Sequence, residues 1–320
     1  MRHLKLVPDN TNIGFTAVRN WAFALTAILT ILSVGITAYR GLNLGVDFVG
    51  GLMIEAQFPQ KPQLDAVRAT VDKLGDGEAS LQQFGGPNNV SIRLPLPKST
   101  DEGATNAVVN RVKAALNATN PGVTFPRYDT VSGKVSGELV RNGILAVVIA
   151  VFLIALFSWF RYEWQFGVST FVAIGHDVLM TLGFFALTQL EFDLNIVAAV
   201  LTIIGYSIND KIVIDDRIRE NMRKYRQMDM RALIDLSVNE TLPRTVMTSL
   251  TVLLALTALL VFGGHVLRGF TAAMMLGIIV GTYSSIYVSS SLLIALGLKP
   301  QQMDRKAPAA VADAERVTRR

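Results

Sequence analysis

The chain has 320 residues, 51% of them apolar and 17% charged, with 30 Lys and Arg against 25 Asp and Glu for a formal charge of +5. Soluble domains carry charge on about a quarter of their residues, whereas here 142–214 and 245–298 are almost bare of it and mean hydropathy is +0.39. This excludes a disordered chain, a collagen and a cytosolic enzyme, and the absence of cysteine excludes disulfides, thiol catalysis and cysteine–metal sites.

In chain order, Arg2, Lys5 and Arg19 precede an apolar run over 21–39. That run exceeds the ~7–15 apolar residues of a cleaved signal, so an uncleaved anchor is expected, although Ser33-Val34-Gly35 has the small residues of a cleavage site. A bilayer core needs roughly 20 apolar residues per helix. Six segments qualify, at about 20–39, 142–160, 165–189, 194–214, 245–263 and 270–298. The basic residues gather at Arg161, across 215–244 and after Lys299, while the alternate connections hold little beyond Glu191, Asp193, His265 and Arg268. Lys and Arg mark the cytoplasmic side. The expected topology therefore has a cytoplasmic N-terminus over 1–19, a periplasmic domain over 40–141, spans two to six over 142–298, and a cytoplasmic tail over 299–320. The cytoplasmic loop 215–244 reads as an amphipathic helix on the membrane surface, and the tail as disordered. Because the basic residues serve topology and no aromatics are interleaved with them, no nucleic-acid partner is expected.

The outer segment is too long for a loop. Leu52, Ile54, Ala56 and Phe58 alternate as on a half-buried strand. Pro62 opens a helix with Leu64, Val67, Val71 and Leu74 on one face. Two strands follow, Leu81 to Phe84 and Val90 to Leu96, and then a capping box of Ser99 and Glu102 before a helix with Val108, Val112, Ala115 and Leu116. Residues 123–130 are extended again. The order β-α-β-β-α-β is the α+β, ferredoxin-like arrangement. Nothing in this domain groups residues for catalysis, so it reads as a binding or lever module.

An Asp at the centre of a membrane helix costs roughly 2.5–3.5 kcal/mol, so ionisable groups inside the spans are candidate sites. His176 and Asp177 stand mid-way along the third span, with a satisfied interhelical hydrogen bond as the plainer explanation. Asn209, Asp210 and Lys211 lie in the inner third of the fourth. A shallow helix end would explain Asp210, and snorkelling to the interface would explain Lys211. Arg244 opens the fifth span behind Pro243; it is either a positive flank or a partner for Asp210 at similar depth. The sixth span carries Ala273, Gly277, Gly281, Ser285 and Ser289 at every fourth position, a packing stripe that suits a helix of this chain or of another subunit. There is no P-loop, zinc spacing or nucleophile motif, so neither an enzyme nor a bound metal is expected. A six-span half also looks incomplete for a transporter built from paired repeats, which points to a partner with a matching half.

Five stretches stand out in chain order. They are Gly41-Leu42-Asn43-Leu44-Gly45-Val46-Asp47-Phe48-Val49-Gly50-Gly51 after the first span and Val135-Ser136-Gly137-Glu138-Leu139 before the second. The fourth span contributes Leu201 to Asp210 and then Asp216-Arg217-Ile218-Arg219-Glu220-Asn221. Asn239-Glu240-Thr241-Leu242-Pro243-Arg244-Thr245 and Gly281-Thr282-Tyr283-Ser284-Ser285-Ile286-Tyr287 follow in the fifth and sixth. Together they resemble the SecF family of protein-export subunits. The resemblance implies a six-span fold of resistance-nodulation-division type in the bacterial inner membrane. It implies pairing with SecD, association with the SecYEG channel and often YajC, and use of the proton gradient, or sodium in some members, to draw a translocating polypeptide outward. No cofactor is implied beyond that gradient. Asp210 and Arg244 match positions the family uses for ion passage, and His176-Asp177 matches a further intramembrane element. The sequence departs from the family at Lys211, where Thr is usual, at Asp215, at Pro243, and at 131–134, where a Gly-Pro is missing. Against ion-coupled translocation stand two other readings, half of an ion-coupled small-molecule exporter and a passive assembly scaffold of the translocon.

Overall fold

The computed structural model describes residues 8, 11–84, 86–97, 102–264 and 267–299. The expected capping box at Ser99 and the tail from residue 300 lie outside them. A single 3₁₀ turn, Phe15–Val18, leads into α1, Arg19–Arg40. Gly41, at φ +68°, ends α1 by taking a backbone conformation closed to most residues. One turn, α2 (Val46–Val49), then delivers the chain to Gly50 and Gly51, at φ +75° and +121°. A Cβ on Gly51 would lie 2.8 Å from the carbonyl oxygen of Leu94, so only glycine lets the chain enter the sheet at this angle.

The outer domain is β1 (Gly51–Gln57), α3 (Leu64–Asp72), β2 (Ser80–Gln83), β3 (Asn89–Leu94), α4 (Glu102–Thr119) and β4 (Thr124–Val131). Its sheet is wholly antiparallel in the order β2-β3-β1-β4, with Ile54 opposite both Ile92 and Tyr128. This is the strand order of the ferredoxin-like fold. On one face Leu52, Ile54, Val90, Ile92 and Leu94 pack against Val67 and Val71 of α3 and Val108, Val112 and Leu116 of α4. β1 is not half-buried, however. Met53 and Glu55 on its second face are also covered, because that face sits over the outer ends of the membrane helices. A cavity of about 130 Å³ lies between the two, lined by Met53, Glu55, Arg127, Glu191, Asp193 and Phe270 among others.

The remaining spans are α5 (Gly133–Arg161), α6 (Trp164–Thr188), α7 (Leu194–Lys224), α8 (Met230–Phe262) and α9 (Arg268–Tyr283). The last helix continues through a π-helical segment, Ser284–Ser289, into α10 (Ser290–Ala295). Among the described residues, six helices are thus long and apolar enough to cross a membrane, and the chain is a multi-pass membrane protein. α5 begins nine residues before the expected 142, capped by the Ser132 side chain; its charged first turns hid it from hydropathy. The stretch 215–244 is not a loop with a surface helix. α7 runs on to Lys224 and α8 starts at Met230, so two projecting helical arms meet at a short turn. Their apolar faces close on each other through Ile214, Ile218 and Met222 against Leu233, Ile234 and Val238.

Candidate functional site

Two sets of polar groups sit on α7, on different faces of the helix. The first follows a four-residue spacing, Ser207, Lys211 and Asp215, which places all three on one stripe. Opposite lie Asp177 and Ser169 of α6 and the serines of the π-helical segment. Asp177 is 1% exposed and is bound from three sides. Ser207 Oγ donates to its Oδ2 at 2.6 Å, Ser284 Oγ donates to the same oxygen at 3.0 Å, and His176 Nδ1 stands 3.1 Å from Oδ1. The expected interhelical hydrogen bond is therefore present and joins α6, α7 and the π-helical segment. His176 Nε2 is buried with no hydrogen-bond partner, its ring 6.4 Å from that of Tyr283.

Lys211 does not snorkel. At 2% exposure it donates to Asp215 Oδ2 at 2.7 Å and to Ser169 Oγ at 3.0 Å. Its ammonium stays inside because a carboxylate one turn away and a hydroxyl across the helix interface replace the water it would otherwise seek. Ser289 Oγ in turn donates to Ser169 Oγ at 3.4 Å, closing a seam of hydroxyls and charges along three elements.

The second set is Asp210 and Arg244. Asp210 is 3% exposed, and its Oδ2 is buried without any hydrogen-bond partner. Arg244, on the neighbouring α8, is exposed, yet near enough to act on the carboxylate through space. The two form no ion pair among the described residues, so the pairing expected from matched depth is not the state seen here. Asn209 is exposed, away from the seam.

The small-residue stripe of the last span seats α7 of the same chain. A Cβ on Gly277 would come within 2.7 Å of Ile203 Cγ2, and one on Gly281 within 3.0 Å of Ser207 Cβ. Ser285 Oγ continues the contact, donating to the Ser207 carbonyl at 3.4 Å. The seam's packing and its polar bonds thus use one interface.

The outer end of α7 is tied to the outer domain. Asp193 caps the helix by accepting from Ile196 N at 3.1 Å, and Asp47 of α2 accepts from Leu194 N at 2.9 Å. Carboxylates suit this position, the positive end of the helix dipole. The backbones of Gly45 and Phe192 also bond across the joint at 2.8 Å, and Arg93 of β3 pairs with Glu191 at 3.0 Å. Asn43 and Gln82 both reach the Gln189 carbonyl. Burial pushes the Glu191 carboxyl above the ordinary range despite the opposing pull of Arg93, and burial raises Asp193 as well.

At the other end, Asn221 of α7 donates to Ser237 Oγ and Glu240 Oε2 of α8 at 3.0 and 2.8 Å. Asp235 accepts from the amide and the hydroxyl of Thr16, and Asn239 holds the backbone of Ile13. Several motif residues are therefore fasteners between α7, α8 and the N-terminal segment. Ser169, Ser207, Ser284 and the joint residues Asp47, Arg93 and Glu191 were not singled out as site residues from the sequence. The four-residue spacing of Ser207, Lys211 and Asp215 was the one signal that could have revealed the seam.

Residues 111–299 match the family described as protein export membrane protein SecD/SecF, C-terminal, and residues 40–60 match the SecD/SecF GG motif, which contains Gly50 and Gly51 at the entry to β1. A protein translocase subunit SecF of Cereibacter sphaeroides is 42% identical over 300 residues, covering 92% of this chain and 93% of that protein. The same-named subunits of Rhodobacter capsulatus and Rickettsia felis are 41% and 40% identical over 92% and 91% of the chain, and over 92% and 94% of their own lengths. Among solved structures, SecDF of Thermus thermophilus, described as a translocon-associated membrane protein, superposes with a TM-score of 0.81 at 37% identity over 90% of this chain. The chain spans only 39% of that larger SecDF chain. SecDF in a super-membrane-facing form matches 98% of this chain and 41% of its own, at a TM-score of 0.67 and 34% identity. With more than half its length matched by the family's C-terminal region and close relatives aligned almost end to end, the chain belongs to the SecD/SecF family of protein-export membrane proteins, on its SecF branch.

Proposed function

We propose that the chain is the SecF-type half of a protein translocase, which works with a SecD-type partner in the bacterial inner membrane and draws on an ion gradient to help move secreted polypeptides outward. Both termini lie in the cytoplasm on this reading, and the ferredoxin-like domain lies in the periplasm. The single observation that carries the coupling is Asp210, a buried carboxylate with an unpartnered oxygen, on a helix whose outer end is hydrogen-bonded to the outer domain through Asp47. Asp210 cycles between a carboxylate drawn to Arg244 and a protonated acid. Burial makes the unpaired charge costly, so either a proton or the guanidinium has to answer it. Each charge crossing the membrane supplies roughly 2.3 kcal/mol per 100 mV, enough to bias a movement between two positions of the domain.

The test is depletion of the protein in cells, followed by restoration of the native chain or of Asp210→Asn at matched abundance, with maturation of exported proteins as the readout. Rescue by the native chain alone supports the coupling. Equal rescue by both leaves a role in export without ion passage through Asp210, which is the scaffold reading. Export that is unaffected by depletion sinks the proposal and brings small-molecule efflux forward.

A further inference from the structure

The Lys211–Asp215 pair plays no part in the cycle just described, yet it is the most completely buried pair of opposite charges in the described spans, each side chain 2% exposed. Resting on the gradient-coupled reading above, we propose that Lys211 is a specificity-determining residue of the ion pathway. Its tethered ammonium fills a monovalent-cation position between Asp215 and Ser169, bars sodium from the seam, and leaves the proton as the coupling ion.

The position has the chemistry of a small-cation site. Lys211 Nζ is held by a carboxylate oxygen at 2.7 Å and a hydroxyl oxygen at 3.0 Å. A second hydroxyl, Ser289 Oγ, stands 3.4 Å from the first. Asp215 Oδ1 is buried and accepts no hydrogen bond, so the carboxylate keeps a free acceptor facing the protein interior. Hard oxygen donors of this kind are what hard cations bind. The charged and titratable groups of the neighbourhood are His176 and Asp177 on α6, Asp210, Asp215 and Asp216 on α7, and Tyr162, which donates to Asp216 at 2.8 Å and has Arg161 and Arg219 over its ring. Among the described residues Lys211 is the one Lys or Arg paired with Asp215, while Asp177 is held by two serines and His176.

A purely structural role explains the pair poorly. On a helix the favourable order puts the acid before the base at a spacing of four, and here the base comes first. Burying an ion pair also generally stabilises less than apolar residues of the same volume. What the pair does provide is permanence. An ammonium attached to the helix beside its ligands has an effective concentration that free sodium cannot match. Without it, the Asp215 carboxylate is left buried and uncompensated, and then recruits a cation from solution.

The experiment uses the full chain with its SecD-type partner in sealed inner-membrane vesicles, with translocation of a precursor driven by an imposed pH gradient or an imposed sodium gradient. The wild type is expected to respond to the pH gradient alone. Lys211→Thr and Lys211→Gln, which remove the ammonium and keep Asp215 and Ser169, are expected to gain a several-fold response to sodium. The pair Lys211→Met with Asp215→Leu, which removes cation and ligand together, is expected to gain none. A sodium response in the wild type, or none in the single variants, overturns the assignment of Lys211 while the coupling reading stands. Failure of the wild type to respond to either gradient overturns both. If the single variants do not accumulate, thermal unfolding of the purified wild-type complex in sodium chloride against choline chloride decides the matter: equal stability supports an occupied site, and sodium-specific stabilisation refutes it.

Discussion

The two faces of α7 present the same kinds of groups in opposite conditions. On the seam face, Ser207, Lys211 and Asp215 are matched by partners on α6 and the last span, and Asp177 receives two hydroxyls and an imidazole. On the face toward α8, Asp210 has a buried oxygen with nothing to accept from and a cation close by but unpaired. A satisfied polar seam fixes the relative position of the helices; an unsatisfied carboxylate leaves a state that a proton or a guanidinium can change. Rigidity and responsiveness are thus separated by a rotation of one residue.

The largest effect should come from breaking the seam. Asp177→Ala leaves Ser207, Ser284 and His176 facing an empty position, and a loss of about 3–5 kcal/mol is expected, as for removing one partner of a buried charged network. It would be measured as lost abundance and a lowered unfolding temperature in detergent. Gly277→Ala drives a methyl into Ile203, which is 2% exposed and has little room to yield. A cost of about 1–3 kcal/mol follows, and it should fall on the contact between α7 and the last span.

Asp210→Asn sharpens the contrast. With no partner to strand, it should change stability by less than about 1 kcal/mol while abolishing the gradient-dependent part of export. Equal destabilisation by Asp210→Asn and Asp177→Ala would erase the distinction between the two faces.

The smallest effect is at the joint. Glu191 and Asp193 have carboxyls raised by burial, so the docked state binds protons more readily than the free one. Docking is then weakest where both are ionised and strengthens as pH falls from neutral into the window just above the ordinary carboxylate range. Amide exchange at Gly45 and Phe192, corrected for the intrinsic rate, should slow over that interval. Glu191→Gln should flatten the dependence.

Much of the fold was legible in the chain because each signal was local. Apolar length marked the spans, and the alternation of Leu52, Ile54 and Ala56 with the helical spacing of Val67 and Val71 gave the β-α-β-β-α-β order that the sheet adopts. What was not legible depended on neighbours distant in the chain. Lys211 looked like an interfacial lysine because its solvent substitute, Ser169, lies on another helix. The buried second face of β1 required knowing that the membrane helices rise beneath it. The π-helical segment left only a run of small residues, yet it carries both Ser284 and Ser285 at the seam. Asp210 is legible as an ionisable group within a span, and the structure buries it, but whether Arg244 touches it depends on side-chain reach that spacing does not encode.

The hydrogen bond from Leu194 N to Asp47 has a further meaning when α7 is treated as a stiff rod. Sixteen residues separate Leu194 from Asp210, which at 1.5 Å each makes an arm of about 24 Å. A pivot of ~5° at Asp210 sweeps the far end of that arm through ~2 Å, enough to part a contact of 2.9 Å. On the proposed cycle, a change of charge at Asp210 too slight to repack the helices would then reach the joint magnified, as the making or breaking of the Leu194–Asp47 bond.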